Sequence, residues 1–247
     1  MTQGKIRVGI GGWDFDPWRG TFYPEGLAKT KQLAFAADRL TAIEVNATFY
    51  GRQKPATFAK WAAAVPEGFR FALKASRYAT ARKKLAEGGE SIERFLTQGF
   101  TELGDRLGPI LWQFAPTRTF DADDFAAFLA MLPAKQDGLA LRHALEVRHE
   151  SFRDPAFIAL AKAANAAIVY ADSDDYPCIE AATADFGYAR LQRAVETVPT
   201  GYDAAALDAW ADAARRWATG GDAYVFFISG AKVRNPAAAM GLIDRLA

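Results

Sequence analysis

The sequence predicts an α/β fold, a TIM-like (β/α)8 barrel in a single domain covering residues 1–247. Three observations carry that prediction. Eight short runs rich in Val, Ile, Phe and Tyr recur along the chain, flanked by Gly, Pro, Asp or Asn. Between them, apolar residues recur at three-to-four spacing, the period of a helix with one buried face. The length of 247 residues matches the roughly 250 that eight β/α units need.

The strand runs are residues 6–10, 42–46, 69–74, 109–114, 144–148, 167–171, 186–191 and 223–228. Helical spacing is clearest in Ile92, Phe95, Leu96, Phe100 and Leu103, and again in Phe125, Phe128, Leu129 and Leu132. Asp154-Pro155 and Asn235-Pro236 each read as a polar N-cap followed by proline at the first helical position. A doubly wound sheet is the main competitor, but it opens with a glycine turn that runs directly into a helix. Here VGIGGW leads instead into the aromatic loop WDFDPWRGTFYPEG.

Composition removes several function classes. Half the residues are hydrophobic (51%) and 24% are charged, which excludes a disordered or collagen-like chain. Lys and Arg total 30 against 29 Asp and Glu, so there is no global positive excess to drive histone-like nucleic-acid binding. The lone Cys178 has no partner for an internal disulfide. The N-terminus lacks a signal-peptide core, and no run reaches the ~20 apolar residues of a membrane span. A cytoplasmic protein with no membrane partner is the expectation. Two histidines, His143 and His149, are too few for a His-rich zinc cluster, so no metal ligands are assigned.

Alternate residues of a barrel strand face the interior, and barrel sites lie at the C-terminal strand ends. That alternation places Glu44 and Asn46 on one face of strand 2, and Glu146 and Arg148 on one face of strand 5. Lys74 ends strand 3, Gln113 is late in strand 4, Asp172 follows strand 6, and Arg190 and Gln192 share a face at the end of strand 7. Three acids (Glu44, Glu146, Asp172) and three bases (Lys74, Arg148, Arg190) are therefore expected to converge at the mouth. A structural ion-pair network is the plain alternative to a catalytic or binding site. Apolar residues fill a barrel without desolvating charge, which favours the site.

Further features surround the mouth. Residues 229–235 form a basic loop before the last helix, and with Asn235 as N-cap, free N–H groups near Gly230 and Lys232 are expected to hold an anion. Lys232, Arg234, Arg190 and Arg193 add positive charge there. Trp13, Phe15, Trp18, Phe22 and Tyr23 crowd the first loop, and Phe49 and Tyr50 the second. Most read as a hydrophobic lid; Trp13 and Tyr50, nearest the strand ends, are candidates for stacking on a ligand. Arg77, Arg82, Lys83 and Lys84 make the densest basic stretch, a solvated face or a phosphate contact. The acidic run at residues 172–175 lacks EF-hand spacing and reads as a turn. No G-x-S-x-G elbow supports a serine nucleophile.

These motifs resemble a known family. VGIGGWDFDPWRGTFYP is similar to the G-x-S-G-W…W-x-G-x-F-Y-P opening of the YecE-like family, also called domain-of-unknown-function family 72. IEVNATFYGRQKPATFAKWAAAVPEGFRFALKAS, LGPILWQFAP, ALEVRHESF, YADS, YARLQ and NPAAAMGLIDRL continue the resemblance in order. It implies a TIM-like barrel, and marks Trp13, Glu44, Asn46, Thr48, Tyr50, Lys74, Gln113, Glu146, Arg148, Asp172 and Arg190 as signature positions. The chain departs at residues 190–193 (RLQR for R-L-H-G), after strand 8 (FISG for an F-N-N turn) and after strand 3 (RYAT for an I-T-H-like segment).

Two functional readings follow. One is an enzyme, hydrolase or lyase-type, acting on an anionic, phosphorylated or nucleotide-like small molecule at the mouth. Glu44, Glu146 and Asp172 would be its acid–base set. Trp13, Asn46, Thr48, Tyr50, Lys74, Gln113, Arg148, Arg190, Gln192 and Lys232 would bind substrate. Mg²⁺ on the carboxylates is compatible with the spacing but not required by it. Glycoside hydrolysis by the Glu44/Glu146 pair is a variant. The other reading is a non-catalytic barrel that binds nucleic acid or a ligand through the aromatic loops and the basic segment.

Overall fold

A computed structural model describes residues 3–247. Eight parallel strands form a ring: β1 (Ile6–Gly11), β2 (Ala42–Val45), β3 (Arg70–Lys74), β4 (Leu107–Gln113), β5 (His143–Glu146), β6, β7 (Gly187–Leu191) and β8 (Ala223–Phe227). β6 comes in two segments, Ala167–Ile168 and Tyr170–Asp172. The first pairs with β5 and the second with β7, and β1 pairs with both β2 and β8. All eight sequence runs are strands. Their β-branched and aromatic residues fill both faces, as parallel strands covered by helices require.

Among the described residues, seven helices longer than one turn pack outside: α1 (Gln32–Ala37), α2 (Pro55–Ala63), α3 (Gly89–Leu96), α4 (Ala122–Ala130), α5 (Pro155–Ala163), α6 (Ala204–Trp217) and α7 (Asn235–Leu246). Asp154 caps α5 as expected, accepting from the Ala156 N–H at 2.8 Å. Asp121 and Asp203 cap α4 and α6 in the same way. The strict (β/α)8 pattern fails once: residues 173–186, between β6 and β7, hold no helix. Asp174, Asp175 and Pro177 favour turns there over a helix interior.

α7 also corrects an expectation. Asn235 is its first residue rather than its N-cap, because Lys232–Arg234 forms a 3₁₀ turn running straight into the helix. The Asn235 side chain turns back instead, and its Oδ1 accepts from Ser229 Oγ at 2.6 Å. The N–H groups of Lys232, Arg234 and Asn235 are spent on carbonyls within the turn. The helix start therefore offers fewer free donors to an anion than the sequence suggested.

The barrel interior is filled asymmetrically. Gly9, Ala42, Ala72, Ala144 and Ala167 stand on β1, β2, β3, β5 and β6, while Tyr188, Tyr224 and Phe226 come from β7 and β8. Small residues on one arc admit large ones from the other, and close packing requires such matching. Gly9 leaves no room for a side chain. A Cβ there would lie 2.0 Å from the Ala42 carbonyl oxygen, while one at Gly11 would meet only side-chain ends at 3.3–3.4 Å. We predict that Gly9→Ala destabilises by at least ~2 kcal/mol and Gly11→Ala by under ~1 kcal/mol, measured by chemical denaturation. Equal effects would refute this account of the packing.

Candidate functional site

At the C-terminal end of the barrel, inward residues of four strands meet. Arg190 on β7 is almost wholly buried and Glu44 and Glu146 are fully so. Arg190 Nε and one terminal nitrogen donate to the two oxygens of Glu44, each at 3.1 Å. Its other terminal nitrogen donates to both oxygens of Glu146, at 2.7 and 2.8 Å. Tyr188 donates to Glu44 at 2.7 Å and Gln113 to Glu146 at 2.5 Å. Arg148 adds two more donors to Glu146, at 3.0 and 3.2 Å, and its guanidinium lies 4.4 Å from the centre of the Tyr176 ring.

The electrostatics follow from these contacts. Burial alone pushes the Glu146 carboxyl upward, but Arg190 and Arg148 outweigh it and hold it at about 2. Burial and the Glu44 carboxylate raise the Tyr188 hydroxyl well above its ordinary value, so it stays a donor. A carboxylate held this low and bonded to three side chains is ionised near neutral pH, and its contacts in this structure are those of a counter-charge. Arg190 lies between the two carboxylates, where glycosidase chemistry would require a sugar or a water. Each of their four oxygens accepts from at least one protein donor. Among the described residues, no group of three His, Cys, Asp or Glu side chains is placed to hold a metal ion.

Lys74, at the end of β3, differs from its neighbours. It is 6% exposed, lies 4.0 Å from the Phe49 ring centre, and makes no ion pair among the described residues. Burial, then Arg190, push its ammonium down to about 8 against the opposing pull of Glu44 and Glu146.

Other predicted residues fall elsewhere. Asp172 is separated from the two glutamates. Inward positions on β6 are Ala167, Val169 and Ala171, so Asp172 points to the outer side, paired with Arg193 at 3.1 Å. Burial raises its carboxyl and Arg193 opposes this. Trp13 packs into the strand–helix layer against Trp61 and Phe71, at 5.3 and 6.4 Å between ring centres, not over the mouth. Gly12, at φ +73°, breaks the strand alternation just before it. Thr48 donates to the Lys74 carbonyl at 2.7 Å, and Tyr50 is 66% exposed. Asn46 lies beside Gly11, and the Gln192 amide nitrogen is buried without a partner.

Lys232 sits over Phe15, 4.4 Å from the ring centre, while its carbonyl accepts from Trp18 Nε1 at 2.9 Å. The first aromatic loop thus packs as a lid: Trp18, Phe22 and Tyr23 are buried. His143 is buried between Trp112 and the Pro133 carbonyl, and His149 caps the turn at Ser151.

Removing the Glu146 charge leaves Arg190 and Arg148 short of a partner in a dry site. Glu146→Gln should destabilise by ~3–5 kcal/mol in denaturant unfolding. Its folded value lies below the unfolded 4.5, so the stability it contributes is complete above pH 4.5 and lost as pH falls toward 2. The variant should lack that part of the wild-type pH dependence. A stable variant with an unchanged acid limb would refute the structural role.

Comparison with known proteins places this architecture. A crystal structure of a DUF72 family protein from Thermotoga maritima superposes with a TM-score of 0.75 at 21% identity, covering 97% of each chain. One from Enterococcus faecalis gives 0.71 at 19% identity over 99% of each. A psychrophilic family 10 endo-β-1,4-xylanase gives 0.54 at 10% identity, over 97% of this chain and 96% of its own. These likenesses establish the barrel fold alone. The UPF0759 protein YunF of Bacillus subtilis is 28% identical over 159 residues, 62% of this chain and 54% of YunF, so the match spans about half of that relative. A family model described as "Protein of unknown function DUF72" matches residues 7–247, and on that match the chain belongs to the DUF72 family.

Proposed function

We propose that this protein is an enzyme acting on an anionic small molecule at the barrel mouth, with Lys74 as its acid–base group and Arg148 as an anion contact. The carrying observation is the charge at the mouth. Once Asp172 is assigned to Arg193, Glu44 and Glu146 face Lys74, Arg148 and Arg190, leaving one positive charge uncompensated. Lys74 is the member without an ionic partner, and a substrate carboxylate or phosphate would supply one. An ammonium near 8 also exchanges protons readily close to neutral pH, the property acid–base chemistry needs. The glutamates then act as counter-charges that fix Arg190 and Arg148. This reading favours lyase-type proton transfer by Lys74 over carboxylate-assisted hydrolysis.

Following the Lys74 side chain by NMR in selectively labelled protein tests this. Its titration should centre near pH 8, and adding phosphate or citrate should move the midpoint up, because a bound anion stabilises the ammonium. Lys74→Met should remove the signal and weaken binding of the same anions at least about tenfold. An ordinary midpoint near 10.5, or one indifferent to anions, would overturn the proposal. The lysine also has a stability signature. Its folded value is depressed, so its penalty is complete below pH 8 and relieved as pH rises toward 10.5. Lys74→Met should therefore gain stability over the wild type below pH 8, and the gain should vanish in alkali.

A further inference from the structure

Beside the mouth, the loops after β2 and β3 and the helix α3 border an open cleft of about 480 Å³. Arg52, Arg82 and Arg94 reach it from three separate segments, against one carboxylate, Glu90. Their hydrogen bonds leave the positive charge uncompensated. Arg52 donates to the Thr97 carbonyl at 2.8 Å and Arg82 to Ser91 Oγ at 3.1 Å, both neutral acceptors. Arg94 makes no hydrogen bond or ion pair among the described residues, although Glu90 stands one turn away on the same helix. Three guanidiniums and one carboxylate leave a formal excess of two positive charges across the cleft.

The cleft is held from behind. Arg118 donates to the carbonyls of Arg82 and Lys83, and Asp124 accepts the N–H groups of Leu85 and Ala86, each at 2.9 Å. Arg118 and Asp124 themselves pair at 3.8 Å. The basic stretch singled out in the sequence is therefore fastened at its backbone, and Arg82 is presented rather than left to wander. Such preorganisation lowers the entropy that binding must overcome. A merely solvated basic face spreads its cations outward. Here they line one cleft of the size that small ligands occupy, open on its outer side, above the buried Phe95 and beside the exposed Tyr78 ring.

We propose that this cleft binds the phosphate of a small polar phosphate monoester, its dianion matched by Arg52, Arg82 and Arg94. Arginine forks suit phosphate oxygens, and an excess of two positive charges complements a dianion. The organic part would lie against Tyr78 and Phe95. The site does not depend on the proposed role of Lys74: Thr48 borders both, but none of the three arginines belongs to the mouth. A volume of about 480 Å³ matches a single small ester, whereas a continuous strand needs a groove that tracks its backbone over several nucleotides.

Calorimetric titration of the whole protein decides the matter, with inorganic phosphate, ribose 5-phosphate, AMP and a single-stranded oligonucleotide as probes. Both monoesters should bind more tightly than inorganic phosphate. Arg94→Ala and, separately, Arg52→Ala should each weaken them about tenfold or more. Lys74→Met should leave this binding unchanged, so that failure at the mouth and failure at the cleft are read apart. Arg94 is exposed and makes no hydrogen bond or ion pair among the described residues, so its variant should fold, checked by circular dichroism. Absence of monoester binding at millimolar concentration, or binding indifferent to both arginine variants, would overturn the proposal. So would an oligonucleotide that binds more tightly than AMP with a steep salt dependence, the mark of a nucleic-acid surface.

Discussion

One guanidinium between two carboxylates sets the terms for the upper half of this barrel. Arg190 spends its donors on Glu44 and Glu146, and each glutamate recruits further donors, Tyr188 for one and Gln113 and Arg148 for the other. A buried ion is tolerable only when its remaining hydrogen-bonding capacity is met, and here that condition reaches four strands. Arg190 and Tyr188 are long and rise from the same face of β7. The opposite arc must then be small, and it is built from glycine and alanine. The same closure explains why Lys74 stands apart: the carboxylates are already taken when its ammonium arrives.

Much of the fold is legible in the sequence, because the physics that builds it is local. Period-two alternation in AIEV and HALE sends Glu44 and Glu146 inward and Ile43 and Leu145 outward, whatever the rest of the chain does. Strand runs and aspartate caps need no knowledge of partners. Local rules end where the backbone changes course. Parity counted from Ala167 turns Asp172 outward, whereas its place just after the strand suggests the mouth. Trp13 followed its strand only until Gly12 took a positive φ and re-aimed the chain. Asn235-Pro236 looks like a cap pair, yet a preceding 3₁₀ turn had already begun the helix.

What stayed hidden was combinatorial. The ionic pairing at the mouth depends on which base reaches which acid, and six charges listed by position do not say that Arg190 takes both glutamates while Arg193 takes Asp172. The arginine cleft was harder still to foresee. Arg52, Arg82 and Arg94 lie in three segments, and only Arg82 belonged to a run dense enough to notice. Likewise, the Asp137-Gly138 hairpin before β5, with both residues at positive φ, leaves no pattern in the sequence, since a two-residue ribbon is too short to show alternation.

β6 is the weakest stave of the ring: it is split at Val169, keeps two paired residues toward β5 and three toward β7, and has no helix behind its connection to β7. A cylinder fails where its seam is thinnest. The Arg190–Glu146 contact runs from β7 to β5, over the top of that seam, and clamps the two flanking staves without using β6. Hoop strength at this point therefore resides in side chains rather than in the backbone ladder. A barrel clasped in this way can let one stave loosen while its rim stays closed, so motion along β6 need not disturb the geometry of the mouth.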